Sequence, residues 1–168
     1  MDLKNFQLAP FYDLDQEWAI VTVGKKDKFN AMTISWGGFG TIWNKPVATI
    51  YIKPNRYTYE FLETNEYYTI SFYDLKYKKD LAILGSKSGR DSNKISLTEL
   101  TPNFLKNGIS FQEAKLTIVC RKIYFQDMDI KNIDNHSIPQ SEIDRFYKKE
   151  PIHRMYIGEV ISIIDNRK

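Results

Sequence analysis

The feature that most constrains the fold is a series of six short runs rich in β-branched and aromatic residues, spread along the chain. Such runs are typical of β-strands, because branched and aromatic side chains pack well on a pleated surface. Charged or turn-forming residues separate consecutive runs, as at Lys25–Phe29, where we expect a turn. The predicted strands are Trp18–Val23, Ala31–Trp36, Val47–Ile52, Tyr67–Phe72, Lys115–Tyr124 and Met155–Ile164.

Segments with helical character are few and short, namely Arg56–Leu62, Leu75–Leu84 and Pro139–Tyr147. They do not alternate with the strands as β-α-β units, which argues against a doubly wound parallel sheet. We therefore predict a mainly β fold, an antiparallel barrel with short helices packed on its outside. A length of 168 residues is typical of one domain, so residues 1–168 are expected to form a single unit.

Charge and cysteine content exclude several functions. The net charge of +3 is too small for the basic face of a nucleic-acid-binding protein. The single cysteine, Cys120, cannot form an intramolecular disulfide and lies in an apolar run typical of a core strand. His136 and His153 lack the spacing of metal ligands, so no metal site is predicted. No apolar run is long enough to cross a membrane and Met1–Lys4 does not resemble a signal peptide, so we expect a cytoplasmic protein with no membrane partner.

The segment Asn30–Gly40 is the first candidate for ligand binding. Side chains alternate along a strand, so Thr33 and Ser35 are expected on one face, where two hydroxyls suit the polar edge of a ligand. Gly37 follows Trp36 and opens a glycine-rich stretch in which the backbone can approach a ligand closely. The alternative is a bulged strand that binds nothing.

The segment Lys53–Thr58 is the second candidate. Pro54 and Asn55 suit a turn, and Arg56 and Thr58 stand near the start of a short predicted helix. Free N–H groups at a helix start, an arginine and a hydroxyl together favour a phosphate. A solvated arginine on a turn is the alternative.

The segment Gly85–Lys94 is the third candidate, with two glycines, three serines and three cations within ten residues. Ser86, Ser88 and the backbone around Gly89 offer hydrogen bonds, and Lys94 offers positive charge. The spacing is not that of a P-loop. A flexible polar loop is the alternative.

Taken together, these segments resemble the flavin reductase-like family, the FMN-binding split barrels that include flavoredoxins. The resemblance rests on Asn30–Trp36, Lys45-Pro46, Arg56–Thr58, Gly85–Lys94 and the late segment His153–Val160. It covers the chain from about residue 18 to about residue 164 and is strongest toward flavoredoxin-type members.

The resemblance implies a Greek-key split β-barrel that forms a homodimer, with FMN held non-covalently near the subunit interface. It also implies that FMN contacts come from the strand Asn30–Trp36 and its following turn, from the second and third segments, and from His153. The residues expected to bind FMN are Asn30, Thr33, Ser35, Trp36, Gly37, Arg56, Thr58, Ser86, Ser88, Gly89, Lys94 and His153.

The expected activity is hydride transfer from NAD(P)H to the flavin N5 and on to an acceptor. No catalytic side chain is predicted, because the cofactor carries the chemistry. The main alternative is a flavoredoxin-like FMN electron-transfer protein that serves a redox partner protein and lacks its own NAD(P)H activity. A binding module without flavin is the third possibility. Residues 125–152 are the least constrained by the resemblance and are expected to shape substrate access.

Overall fold

The computed structural model describes residues 6–167, so Met1–Lys4, on which the signal-peptide argument rests, lie outside the described part. The strands are β1 (Ala19–Lys25), β2 (Lys28–Ile34), β3 (Gly37–Ile42), β4 (Lys45–Ile52), β5 (Tyr67–Phe72), β6 (Pro102–Leu105), β7 (Gly108–Phe111), β8 (Leu116–Asp127) and β9 (Arg154–Asp165). The α-helices are α1 (Pro10–Tyr12), continued by a π-helical turn over Asp13–Glu17, and α2 (Tyr57–Thr64), α3 (Lys78–Ser86) and α4 (Gln140–Tyr147). Short 3₁₀ turns lie at Leu75–Tyr77, Lys94–Leu97 and Ile130–Asn132.

Seven strands form one antiparallel sheet in the order β2-β1-β5-β8-β9-β4-β3. Laid flat, the edge strands β2 and β3 would lie about 29 Å apart, at about 4.8 Å per strand. Only two residues separate the end of β2 from the start of β3, and that link spans at most about 11 Å. The sheet must therefore curl until its two edges approach each other, which gives a barrel open between β2 and β3.

The barrel interior and its outer layer draw on alternate residues of the same strands. In β1, Ala19, Val21 and Val23 belong to the interior core. Ile20 points the other way and packs in a second apolar cluster with residues such as Leu84 of α3. This two-sided burial explains why β1 is apolar at nearly every position instead of alternating with polar residues.

The prediction of a mainly β fold with short peripheral helices is confirmed, and so is the antiparallel arrangement. The boundaries of β5 are as predicted. The turn between β1 and β2 is shorter than predicted and comprises only Lys26 and Asp27, because Lys25 and Lys28 continue the two strands.

The sequence prediction missed β3, because four of its six residues are glycine or exposed threonine. Strand β3 forms a hairpin with β4 through Trp43 and Asn44, whose φ values are +52° and +57°. Two consecutive residues with positive φ match the tight turn that suits the twist of a hairpin. The predicted strand Ala31–Trp36 ends early, at Ile34, because the chain must turn there to reach β3.

The small hairpin of β6 and β7 was also missed. Helix α3 runs two residues beyond the predicted end and includes Ser86. Within residues 6–167, none of the helices has the length and apolar character needed to cross a membrane.

Candidate functional site

The three candidate segments meet at one small pocket, which we name the polar pocket. Its volume is about 80 Å³, enough for a group of phosphate size. Seven of the twelve predicted binding residues line it, from β2, the start of α2, the last residue of α3 and the segment after α3. They are Asn30, Arg56, Thr58, Ser86, Ser88, Gly89 and Lys94.

The inner wall of the polar pocket is a buried hydrogen-bonded pair. The Nδ2 atom of Asn30 donates to Oγ1 of Thr58 at 2.8 Å, and these residues are only 4% and 0% exposed. Gly89 packs directly on this pair, since a Cβ there would lie 2.3 Å from Oδ1 of Asn30 and 3.1 Å from Cδ1 of Tyr57. Glycine is therefore needed at position 89 for close approach and not for an unusual φ.

Two of the three cations that line the polar pocket, Lys94 and Arg56, bond to carbonyls at the C-terminal end of α3. Lys94 is 3% exposed, and its Nζ donates to the carbonyls of Leu84 at 2.7 Å and Lys87 at 3.0 Å. Arg56 donates to the carbonyl of Gly85. Free carbonyls at a helix end attract cations, so both side chains have a structural role.

The charge of Lys94 is not balanced by an acid in the polar pocket. Burial, followed by repulsion from Arg56, lowers the pKa of Lys94 to about 8. Among the described residues, none that lines the pocket carries a carboxylate. A phosphate would relieve the repulsion between two buried or half-buried cations, because an opposite charge at close range favours the charged form of lysine.

The hydroxyls at the polar pocket are partly engaged. Ser86 donates to the carbonyl of Ala82 at 2.8 Å. The Oγ of Ser88 accepts from the backbone N–H of Arg90 at 3.2 Å and keeps its proton for another acceptor. Thr33 lies on the opposite face of β2 from Asn30 and donates to the carbonyl of Leu81, so it does not line this pocket.

A second, larger pocket lies at the other end of β2, and we name it the aromatic pocket. Its volume is about 360 Å³, within the range of small-molecule sites. Four more predicted residues line it, namely Ser35, Trp36, Gly37 and His153. The sequence did not indicate its other walls, which are Pro10, Phe11, Leu14, Asp15, Tyr51, Met128 and Tyr147.

Helix α4 closes one side of the aromatic pocket. The ring of Phe146 packs edge-on against Trp36, with centroids 5.0 Å apart. The ring of Trp36 also lies 5.1 Å from that of His153, and the hydroxyl of Tyr147 lies 2.9 Å from Nδ1 of His153. Residues of the segment 125–152 thus contribute directly to this pocket, as its predicted role in access requires.

Two ionisable side chains of the aromatic pocket, His153 and Tyr147, are neutral near pH 7. Burial, and then the positive charge of Lys53, lower the pKa of His153 to about 4, against an opposing effect of Glu150. Burial raises the pKa of Tyr147 above its ordinary value. These two residues therefore give the pocket aromatic faces and neutral hydrogen-bonding groups, which suit a flat heterocycle.

The two pockets are connected along β2. From Asn30 to Ser35 an extended strand covers about 17 Å, at about 3.3 Å per residue. The segment after β4 follows the same direction, because Nζ of Lys53 lies 5.4 Å from the ring of Tyr147 while Arg56 lines the polar pocket. This arrangement suits an elongated ligand with an anionic group at one end and a ring system at the other.

The sequence model of the family described as "Flavin reductase like domain" matches residues 11–167. The chain therefore belongs to the flavin reductase-like family, as the sequence resemblance predicted. No curated protein matches the sequence.

Solved structures share the fold. Flavoredoxin from Methanosarcina acetivorans superposes with a TM-score of 0.67 at 19% identity, over 89% of this chain and 68% of that one. An FMN-binding protein from Thermus thermophilus, with bound 1-cyclohex-2-enone, superposes with a TM-score of 0.68 at 18% identity, over 89% of this chain and 70% of that one. The styrene monooxygenase flavin reductase from Pseudomonas putida S12 superposes with a TM-score of 0.64 at 11% identity, over 90% of this chain and 81% of that one. Similarity at this level of identity shows a common fold.

Proposed function

We propose that this protein binds FMN non-covalently and transfers electrons from NAD(P)H through the flavin to an acceptor. The observation that carries the proposal is the convergence of three distant segments on one small pocket with three lining cations, Arg56, Lys87 and Lys94, and no lining carboxylate. The second support is the aromatic pocket at the far end of the same strand. Family membership is consistent with both.

The polar pocket fits the FMN phosphate in charge and size. A phosphomonoester carries nearly two negative charges near neutral pH, which Arg56 and Lys94 can offset. The free proton of Ser88 and the backbone around Gly89 supply further donors. Because Asn30 is already bonded to Thr58, we assign this pair to the support of the pocket wall instead of to direct phosphate contact.

The aromatic pocket fits the flavin ring. Trp36 and Tyr147 supply flat apolar surface, and the backbone of Ser35–Gly37 supplies polar groups for the edge of the ring. When bound, FMN would supply the redox chemistry by accepting hydride at N5. The role of the chain is to orient the ring, exclude water from one face and hold His153 uncharged beside it.

We also propose that the protein is a homodimer whose interface lies near the aromatic pocket. The mouth of that pocket carries exposed apolar side chains, with Phe11 94% and Trp36 41% exposed. Clusters of exposed apolar surface mark contact sites. Sedimentation velocity should give a dimer. A monomer that retains FMN would contradict this assembly.

The first test is the visible absorption spectrum of the purified protein, followed by titration with FMN. We expect a flavin spectrum, or saturable FMN binding by protein purified without it. Anaerobic mixing with NADH or NADPH should then bleach the flavin absorbance. A colourless protein with no affinity for FMN would overturn the proposal and favour a binding module without flavin.

A flavoredoxin-like electron carrier is the second candidate. The fold shared with flavoredoxin from Methanosarcina acetivorans favours it. The same mixing experiment separates the two functions. FMN that binds but is reduced by neither nicotinamide, and only by a protein or chemical donor, would identify the carrier.

We further propose a location in the reducing cytoplasm. The single cysteine, Cys120, is buried and its thiol pKa is raised by burial to about 12. A thiol in this state is a packing residue and not a redox group. Fractionation of cells that express the protein tests the location.

A further inference from the structure

Tyr147 and His153 share a hydrogen bond to which the proposed function assigns no role. The Tyr147 hydroxyl, at the end of α4, lies 2.9 Å from Nδ1 of His153, just before β9. The two rings are nearly perpendicular, with centroids 5.7 Å apart. Both side chains line the aromatic pocket, so the hydrogen bond is part of its wall.

The end of α4 is fixed in place by Lys53. Its Nζ donates to the carbonyl of Phe146 at 2.8 Å and to the carboxylate of Glu150 at 2.9 Å. The same ammonium lies 5.4 Å from the ring centroid of Tyr147. Three contacts from one cation therefore fix the end of α4 and the position of Tyr147 at the pocket. The Tyr147 hydroxyl is thereby held next to Nδ1 of His153.

In a neutral pair the stronger hydrogen bond runs from the phenol, which is the more acidic donor, to the imidazole nitrogen, which is the more basic acceptor, so we assign Tyr147 as the donor to Nδ1 of His153. Burial raises the pKa of Tyr147, so the phenol keeps its proton. The pKa of His153 is about 4, so its ring is neutral near pH 7 and has one accepting nitrogen. A phenol that donates to Nδ1 requires the ring proton to be on Nε2. Within residues 6–167, Nε2 of His153 has no hydrogen-bond partner and is not among the buried unsatisfied atoms.

We propose that Tyr147 is a positioning residue that fixes His153 in its neutral Nε2–H tautomer, so that the aromatic pocket presents one N–H donor to a ligand with an acceptor atom. The proposal rests on the proposed function, because it assigns the donor to the ligand bound in or beside the flavin-ring site. A carboxamide oxygen or a carbonyl oxygen is the matching chemical group. A cationic ligand would find no partner at this nitrogen.

Charged groups around His153 do not account for this orientation. Lys53 and Glu150 act on the imidazole with opposite signs and are paired with each other. Asp15, on the turn after α1, also lines the pocket but forms no hydrogen bond with His153. The phenol of Tyr147 is therefore the group that distinguishes the two ring nitrogens.

The test is nitrogen NMR of the imidazole rings in protein labelled with ¹⁵N-histidine. The chain has only two histidines, so exposed His136 serves as the internal reference. In the parent protein, His153 should show a protonated Nε2 and an unprotonated Nδ1. In Tyr147→Phe, the two nitrogen shifts should move toward each other as the tautomers mix. The His153 pKa should rise by about 0.5–1 pH unit, because loss of one hydrogen bond to the neutral ring removes part of its stabilisation.

Tyr124→Phe is the matched control, since it removes an exposed tyrosine hydroxyl that bonds only to Gln126. It should leave the His153 shifts unchanged. The inference is overturned if the parent shows a protonated Nδ1, or if Tyr147→Phe folds normally and has parent-like shifts. Should Tyr147→Phe fail to fold, the parent spectrum alone decides. These measurements require no flavin. A failure to bind FMN would therefore contradict the proposed function but would leave the result on the His153 tautomer unaffected.

Discussion

The polar pocket and the aromatic pocket lie at opposite ends of β2 and differ in how they are built. In the polar pocket, buried side chains bond to each other or to backbone carbonyls, as Asn30 does to Thr58 and Lys94 to Leu84. In the aromatic pocket, half-exposed rings stack beside α4, in which only Ile143 is buried. The fold itself therefore organises the anion end of the site. The ring end depends on a lightly packed helix and can adjust, as expected where ligands enter.

The largest effect is expected for Gly89→Ala at the polar pocket. The new Cβ would lie 2.3 Å from Oδ1 of Asn30, so the buried pair must shift, at a cost of about 3 kcal/mol in stability. Thermal unfolding and FMN titration should both show large losses. Gly40→Ala is the control, because a Cβ there meets nothing within 4 Å. Unchanged FMN affinity in Gly89→Ala would mean that the phosphate is bound elsewhere.

The next effect concerns the charge of the polar pocket. Lys94→Ala should weaken FMN binding by about 1.5–3 kcal/mol, the contribution of a hydrogen bond to a charged group. Isothermal titration with FMN measures it. Lys79→Ala removes an exposed lysine from the same helix α3 and should have no effect. If Lys94→Ala lowers thermal stability but binds FMN like the parent, Lys94 only caps α3.

The third effect tests the neutral state of His153 in the aromatic pocket through pH. The folded-state pKa of His153, about 4, lies below its ordinary value, so the unfolded chain binds more protons between pH 6.5 and pH 4. The contribution of His153 to stability is therefore complete above pH 6.5 and is lost as the pH falls toward 4. After allowance for solvent screening, we expect about 1 kcal/mol.

Denaturant unfolding from pH 7 to pH 4 measures this loss, and the comparison is with His153→Gln. Carboxylates with lowered pKa values, such as Asp127 and Asp165, also titrate in acid. The informative quantity is therefore the difference between the parent and His153→Gln in how much unfolding free energy is lost from pH 7 to pH 4. His136→Gln, at an exposed position, should follow the parent curve. Parallel curves for the parent and His153→Gln would contradict a buried neutral imidazole.

The smallest effect is expected for the attachment of α4. Phe146→Leu removes the edge-on contact with Trp36, which is worth about 0.5–1.5 kcal/mol beyond area burial. The amide hydrogen-exchange rates of residues 140–147 should rise by the factor that corresponds to this loss of free energy, while the exchange rates of β2 stay unchanged. Phe104→Leu, which breaks a similar pair with Phe29, is the control and should leave α4 unchanged. Exchange at α4 as slow as in the parent would show that this end is as rigid as the polar pocket.

Local patterns were sufficient for much of the fold. The β-branched runs located six of the nine strands found within residues 6–167, since they pack on both faces of a curled sheet. Strand β3 escaped detection, because pairing with β4 stabilises it despite its glycines. The hairpin of β6 and β7 was missed for the same reason, because each strand depends on pairing with the other and the local sequence does not indicate that pairing.

The candidate site divides in the same way. The sequence identified hydroxyls, glycines and cations suited to a phosphate, and the fold brings them to one pocket. It did not indicate Tyr147 or Met128 as lining residues, because a predicted helix over 139–147 and a predicted strand ending near residue 124 do not tell which part of the fold they pack against. It also placed Thr33 with the ligand-facing residues, whereas its hydroxyl bonds to the backbone of α3.

By itself, the sequence determined the mainly β class, the family and the chemical groups available for binding, because these depend on residue types and their spacing. Only the tertiary structure decided that Lys94 is a buried helix cap as well as a cation, and that Tyr147 faces His153. The physical reason is distance along the chain. Burial, pKa and hydrogen-bond direction are set by neighbours from other elements, and these become neighbours only when the sheet curls.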